Sequence, residues 1–264
     1  MSRIKDTFKA LKEKNKNALI PYITAGDPHP DSTVTMMHTL VSEGADMIEL
    51  GIPFSDPMAD GPTIQRASER ALANHVGLSH VFKMVTRFRE KDTQTPIILM
   101  GYANPIEAIG AKTFVDKAKM SDVDGIITVD YPPEECMQFT KLLKEKNIDS
   151  IFLLSPTTEL DRVKLIIEQA SGFLYYVSLK GVTGAANIDI EQVKSKVAVI
   201  RRLTDLPIGV GFGVKDAVTA KEVAKISDAV VVGSRMVQEI ENSNQDNLIQ
   251  NISKLMKELR KAVN

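Results

Sequence analysis

Eight short apolar runs, alternating with helical stripes along 264 residues, predict an α/β protein: a single (β/α)8 TIM barrel with an extra N-terminal helix. The runs are continuous rather than alternating, as expected of parallel strands covered on both faces. Residues 1–264 contain no linker, low-complexity tract or composition shift, so the whole chain reads as one domain. A doubly wound open sheet has the same periodicity and remains the competing architecture.

Ile4, Phe8 and Leu11 share a helical face within Ile4–Lys14, an N-terminal helix placed as a lid on the core. Ala18–Thr24 is the first strand, ended by Ala25-Gly26-Asp27-Pro28. Val34, Met37 and Val41 mark a helix that Gly44 terminates. Met47–Gly51 is the second strand. Ile64, Ala67 and Ala71 mark one helix, and Val81, Val85 and Phe88 the next. Ile97–Tyr102 is the third strand, with Asn104-Pro105 in its loop and a short helix at Phe114–Ala118. Gly125–Val129 is the fourth, followed by a helix bearing Phe139, Leu142 and Leu143. Ile151–Leu154 is the fifth, and Leu160, Val163 and Ile167 mark the helix after it. Phe173–Val177 is the sixth, with Val193, Val197 and Ile200 on its helix. Ile208–Gly211 is the seventh, followed by a helix over Val218–Ile226. Ala229–Val232 is the eighth, and Gly233-Ser234 opens a short helix. Leu248, Ile252, Leu255 and Leu259 make the clearest stripe, in the last helix.

Composition narrows the function. Lys+Arg 33 against Asp+Glu 34 gives a formal net charge of -1, with no basic field for nucleic acid. The single cysteine, Cys136, excludes an intramolecular disulfide and fits a reducing compartment. The N-terminal stretch lacks a signal-peptide core, and no apolar run approaches the roughly 20 residues that span a bilayer. A soluble cytoplasmic protein is expected. His29, His38, His75 and His80 have no metal-ligand spacing. Lys180 lies in a glycine-adjacent loop, a poor setting for a Schiff-base lysine.

A barrel places its active site at the C-terminal strand ends. Glu49 ends an apolar run there, and Asp60 returns after a proline-stiffened loop. Two carboxylates in different environments suit general acid–base chemistry, although a strand end and a surface turn explain the same residues. Gly181-Val182-Thr183-Gly184, Gly211-Phe212-Gly213 and Gly233-Ser234 follow the sixth, seventh and eighth strands. Glycine-freed amides and a helix N-terminus at these places suit a phosphate, although each glycine could simply make a turn.

The run ELGIPFSDPMADGPTIQ (Glu49 to Gln65) resembles the tryptophan synthase alpha subunit family. So do PYITAGDP (Pro21 to Pro28), GVTG (Gly181 to Gly184) and the late glycines, and the resemblance covers nearly the whole chain. It implies cleavage of indole-3-glycerol phosphate to indole and glyceraldehyde 3-phosphate. Glu49 would be the general acid–base that protonates the ring carbon, Asp60 the acid that holds the indole N–H, and Tyr175 a close neighbour of both. Gly184, Gly213, Gly233 and Ser234 would seat the phosphate. Tyr22, Met100, Ile127, Val129, Leu153 and Phe212 would form the indole pocket, with Gly181 and Thr183 in a mobile loop. No metal or cofactor is implied on this chain; pyridoxal phosphate is expected on a beta subunit, the partner in an αββα complex. The regions around Pro53–Asp60, Asn104 and Pro132 are the implied contact surface. Leu179 stands where many members have arginine and Tyr22 where several have phenylalanine, and Pro105-Ile106-Glu107 departs from the enterobacterial pattern. Two alternatives stay open: another phosphate-binding barrel isomerase or aldolase, or a non-catalytic barrel that only activates a beta subunit.

Overall fold

The computed structural model describes residues 2–177, 190–211 and 213–264. Its strands are β1 (Ala18–Thr24), β2 (Ile48–Gly51), β3 (Ile97–Gly101), β4 (Gly125–Thr128), β5 (Asp149–Leu154), β6 (Leu174–Val177), β7 (Ile208–Gly211) and β8 (Ala229–Val232). All neighbours pair in parallel, and β8 closes onto β1 through the register Ala18↔Ala229 to Pro21↔Val232. Closure decides for the barrel over the open sheet, which periodicity could not do.

Closure also splits the apolar strand residues into two layers. Ile20, Ile98, Ile127, Ile151 and Val231 point inward and fill the barrel. Leu19, Ile23, Leu50, Leu99 and Val230 point outward and meet the helices. Helix α1 (Arg3–Glu13) joins the inner layer rather than the outer one. Its Ile4 and Phe8, four residues apart, share one face, and the Phe8 ring lies 5.7 Å from Phe173. The expected lid is therefore a plug for the N-terminal end of the barrel, opposite the strand ends that carry the chemistry.

The outer layer contains α2 (Ser32–Ser42), α3 (Pro62–Ala73), α4 (Leu78–Arg89), α5 (Ala103–Ile109), α6 (Ala111–Met120), α7 (Met137–Glu145) and α8 (Leu160–Gln169). It continues with α9 (Ile190–Ile200), α10 (Ala217–Ala224), α11 (Ser234–Glu241) and α12 (Leu248–Val263). Gly44 takes φ +100 just past α2, the left-handed geometry expected of a terminating glycine. Helix α5 was not expected: Asn104-Pro105 reads as a turn, yet a proline in a first helical turn removes no intrahelical hydrogen bond. Leu160, which marked its helix together with Val163 and Ile167, is 51% exposed in the first turn of α8, and Val218 is 72% exposed in the first turn of α10. Cys136 is buried at the N-terminal boundary of α7.

Below the barrel an ion-pair cluster ties α1, α4 and the entry to β4 together. Arg89 Nη2 donates to Asp124 Oδ2 at 2.6 Å and Arg3 Nη1 to Asp124 Oδ1 at 2.8 Å. Asp124 also accepts from the Ile97 amide at 2.8 Å. Both Arg89 and Asp124 are buried, so removing one partner strands a charge. Asp124→Ala is expected to cost about 3–5 kcal/mol of stability, read from the denaturation midpoint.

Candidate active site

Parallel register sets the acid in place. Glu49 on β2 is level with Tyr22 on β1 and Ile98 on β3, so its side chain enters the barrel just above the inner apolar layer. It is 1% exposed, and Oε1 has no hydrogen-bond partner among the described residues. Burial alone, without a cation nearby to oppose it, pushes its carboxyl up to about 8. A glutamic acid in this setting keeps its proton at neutral pH.

Asp60 is held differently. It precedes Gly61 and Pro62, where α3 begins, and Gln65 Nε2 on that helix donates to the Asp60 carbonyl at 2.9 Å. The adjacent Ala59 amide donates to Tyr102 Oη at 3.1 Å, which fastens the loop to the end of β3. Partial burial raises the Asp60 carboxyl to about 6, while hydrogen bonding by the Tyr102 hydroxyl opposes the rise. One carboxyl of the pair is thus neutral and the other mostly ionised near pH 7, the separation that acid–base chemistry needs.

Two tyrosines flank them. Tyr22 Oη lies 3.3 Å from Thr24 Oγ1, so the hydroxyl in place of a phenylalanine edge has a partner inside the chain. Burial raises the Tyr22 phenol, with smaller contributions from the charges of Asp60 and Glu49. Tyr175 on β6 is buried too; burial comes first and Glu49 next among the causes that keep its phenol protonated. Both rings lie where neighbouring strands have no side chain. A Cβ at Gly51 would collide with the Tyr22 ring and hydroxyl, and one at Gly211 with those of Tyr175. These glycines are there for close approach; the sequence placed both at strand ends and Gly211 also in a candidate phosphate-binding run, without this role.

The groups share one cavity of about 370 Å³ at the C-terminal ends of the strands. Of the expected residues, Glu49, Asp60, Tyr175, Tyr22, Met100, Val129, Leu153, Gly213, Gly233 and Ser234 line it. Ile127 does not: it is fully buried in the inner layer, packed with the residues that floor the cavity. Gly181, Thr183, Gly184 and Phe212 lie outside the described residues, as do Leu179 and Lys180. The sequence reading missed Ile64, Leu154, Val177 and Val231 in the walls and Lys215, Arg235 and Gln238 at the mouth. Val231 could have been found from alternation along β8, which places it inward with Ala229. Tyr102 was noted at a strand end, but its bond to the Asp60 loop had no sequence signal.

The cavity has two unlike ends. Glu49 and the aromatic and aliphatic walls form a dry end. Gly213, at φ +79, and the Gly233-Ser234 start of α11 form an open end, where backbone amides suit an oxyanion. Among the described residues no group of three His, Cys, Asp or Glu side chains is arranged to hold a metal. His38 instead stacks on Phe88, with ring centroids 4.7 Å apart, away from the cavity. No helix of the described residues is long and apolar enough to cross a membrane.

Comparison with known proteins gives a consistent result. The family model for the tryptophan synthase alpha chain matches residues 8–264. The tryptophan synthase alpha chain of Nitrosomonas europaea is 55% identical over 263 residues, covering 100% of this chain and 96% of that one. That of Thiobacillus denitrificans is 57% identical, with 100% and 96% covered. Among solved structures, the tryptophan synthase alpha subunit of Legionella pneumophila superposes with a TM-score of 0.94 at 44% identity, covering 100% of this chain and 98% of that one. A chain of Mycobacterium tuberculosis tryptophan synthase in its aminoacrylate-bound form gives 0.90 at 30% identity, with 100% of both chains covered.

Proposed function

We propose how the site works from one premise: this chain belongs to the tryptophan synthase alpha chain family and, as a carbon–carbon lyase, cleaves indole-3-glycerol phosphate to indole and glyceraldehyde 3-phosphate. The indole ring lies against the apolar end of the cavity and the phosphate at the glycine-lined mouth. Glu49, protonated, gives its proton to the ring carbon that bears the glycerol chain. The ring becomes a cation whose charge reaches the nitrogen, and ionised Asp60 accepts the N–H and stabilises it. The carbon–carbon bond then breaks. Its electron pair returns to the ring, restoring indole, while the adjacent hydroxyl loses its proton to the Glu49 carboxylate and becomes the aldehyde carbonyl. The protonated ring is the electron sink, so this chain needs neither metal nor imine. The observation that carries the reading is a buried, neutral Glu49 sharing a cavity with a more solvated Asp60 and a glycine-lined mouth.

The reading extends to the assembly. A beta subunit, carrying pyridoxal phosphate, takes the indole in an αββα complex, and the Pro53–Asp60, Asn104 and Pro132 regions at the barrel mouth form the contact. Exposed Met58, in the loop that carries Asp60, supports a protein-covered rim there. The single cysteine supports a reducing, cytoplasmic location. The decisive test measures indole release from indole-3-glycerol phosphate, with and without a beta subunit; no indole under either condition would overturn the reading.

The pH dependence follows from the two carboxyls. Raising pH through about 8 ionises Glu49 and removes the acid. Lowering it through about 6 protonates Asp60 and removes the counter-charge. Indole release is therefore expected to follow a bell between those limits, checked by a pH–rate profile of kcat/KM, which reports the groups of the free enzyme.

A further inference from the structure

The mouth of the cavity carries two basic side chains in matched positions. In the loop after β7 the order is Gly213-Val214-Lys215, and at the start of α11, after β8, it is Gly233-Ser234-Arg235. Each basic residue stands two places after a glycine of the oxyanion-binding end. β7 and β8 are neighbours in the barrel, paired through Gly209↔Ala229 and Val210↔Val230, so the two segments flank the same opening. Lys215 and Arg235 both line the same cavity as Gly213, Gly233 and Ser234.

Helix geometry explains why Arg235 faces inward. Ser234, Arg235 and Gln238 lie on the cavity side of α11, whereas Met236, Val237 and Ile240 are buried against the barrel. Arg235 Nη2 is held by Glu239 Oε2, one turn on, at 2.7 Å. That contact uses one terminal nitrogen of a guanidinium with five N–H donors and restricts the side chain's rotation. A planar fork held in this way suits a phosphate oxyanion better than a mobile ammonium does.

We propose that Arg235 is a specificity-determining contact for the phosphate end of the substrate, held in position by Glu239. Backbone amides supply neutral hydrogen bonds; Arg235, with N–H donors left over from its pair with Glu239, supplies charge-assisted ones that favour a phosphorylated chain over a neutral one. The inference rests on the reaction assigned above and names a side-chain component of its phosphate end.

The test compares the full-length wild type with Arg235→Gln and Arg235→Lys. Arg235→Gln is expected to raise KM for indole-3-glycerol phosphate about tenfold and to change kcat less than about twofold. It should weaken binding of glycerol 3-phosphate by a similar factor and leave binding of indole, which has no phosphate, unchanged. Added salt should raise the wild-type KM and narrow the gap to the variant. Arg235→Lys should recover part of the loss, since charge returns without the fork. Equal glycerol 3-phosphate binding by wild type and Arg235→Gln would overturn the contact, as would an equal loss of indole binding. A wild type that neither binds glycerol 3-phosphate nor releases indole would overturn the assigned reaction as well.

Discussion

Replacing Glu49 with glutamine is expected to lower kcat for indole release by about 10³-fold or more, the range for losing a positioned general acid. Glutamine fills the same space but has no proton to give to carbon, so the fold should persist and substrate should still bind. A second readout separates chemistry from structure. In the native protein the Glu49 carboxyl holds its proton up to about 8, against an ordinary value of 4.5. The folded state therefore binds more protons than the unfolded chain between those values. Stability is greatest below about 4.5 on this account and declines as pH rises through about 8. The gap is worth at most roughly 4–5 kcal/mol. Glu49→Gln removes that cost, so the variant should be more stable than the wild type at pH 9 and nearly equal at pH 5. Thermal melts at the two values check the sign. Substantial indole release by the variant would remove Glu49 from the role assigned to it.

Replacing Asp60 with asparagine is expected to lower kcat about 10²–10³-fold, the range for losing one preorganised electrostatic contact to a transition state. Asparagine keeps the shape and can still accept a hydrogen bond from the indole nitrogen, but it carries no negative charge against the ring cation. The loss should therefore fall on kcat more than on KM. The pH profile gives an independent check: the acid limb near 6 belongs to Asp60, so residual activity in the variant should not show it. A retained limb would assign that titration to another group. Tyr102, which bonds to Ala59 beside Asp60, holds the loop rather than contacting the ring, so Tyr102→Phe should be milder than Asp60→Asn.

The two carboxyls also show why part of the site was legible in sequence. Glu49 ends an apolar run and Asp60 follows a Pro-Met-Ala turn; a charge at the edge of a core is visible without coordinates. The glycine pairs after β7 and β8 were legible for the same reason, since composition there departs from strand and helix alike. Helix α5 was not, because Asn104-Pro105 carries the same signal whether a turn or a first helical turn follows. Arg235 was not, because a basic residue near a helix start reads as a solvated face until the barrel shows what lies beside it.

The linear chain therefore determined the order of the strands and of every helix but α5, the apolar runs that force burial on both faces, and the two acids, Glu49 at a strand end and Asp60 in the loop after it. Those follow from local propensity and hydrophobic patterning, which depend on neighbours within a few residues. Only the closed barrel decided which apolar residues fill its interior, and so sent Ile127 to the floor rather than the wall. It also brought Tyr22 over Gly51 and Tyr175 over Gly211, and gave Glu49 a dry setting and Asp60 a wetter one. The physical reason is that burial and charge environment are properties of all the strands around a side chain at once, and parallel register brings those strands together from distant parts of the sequence.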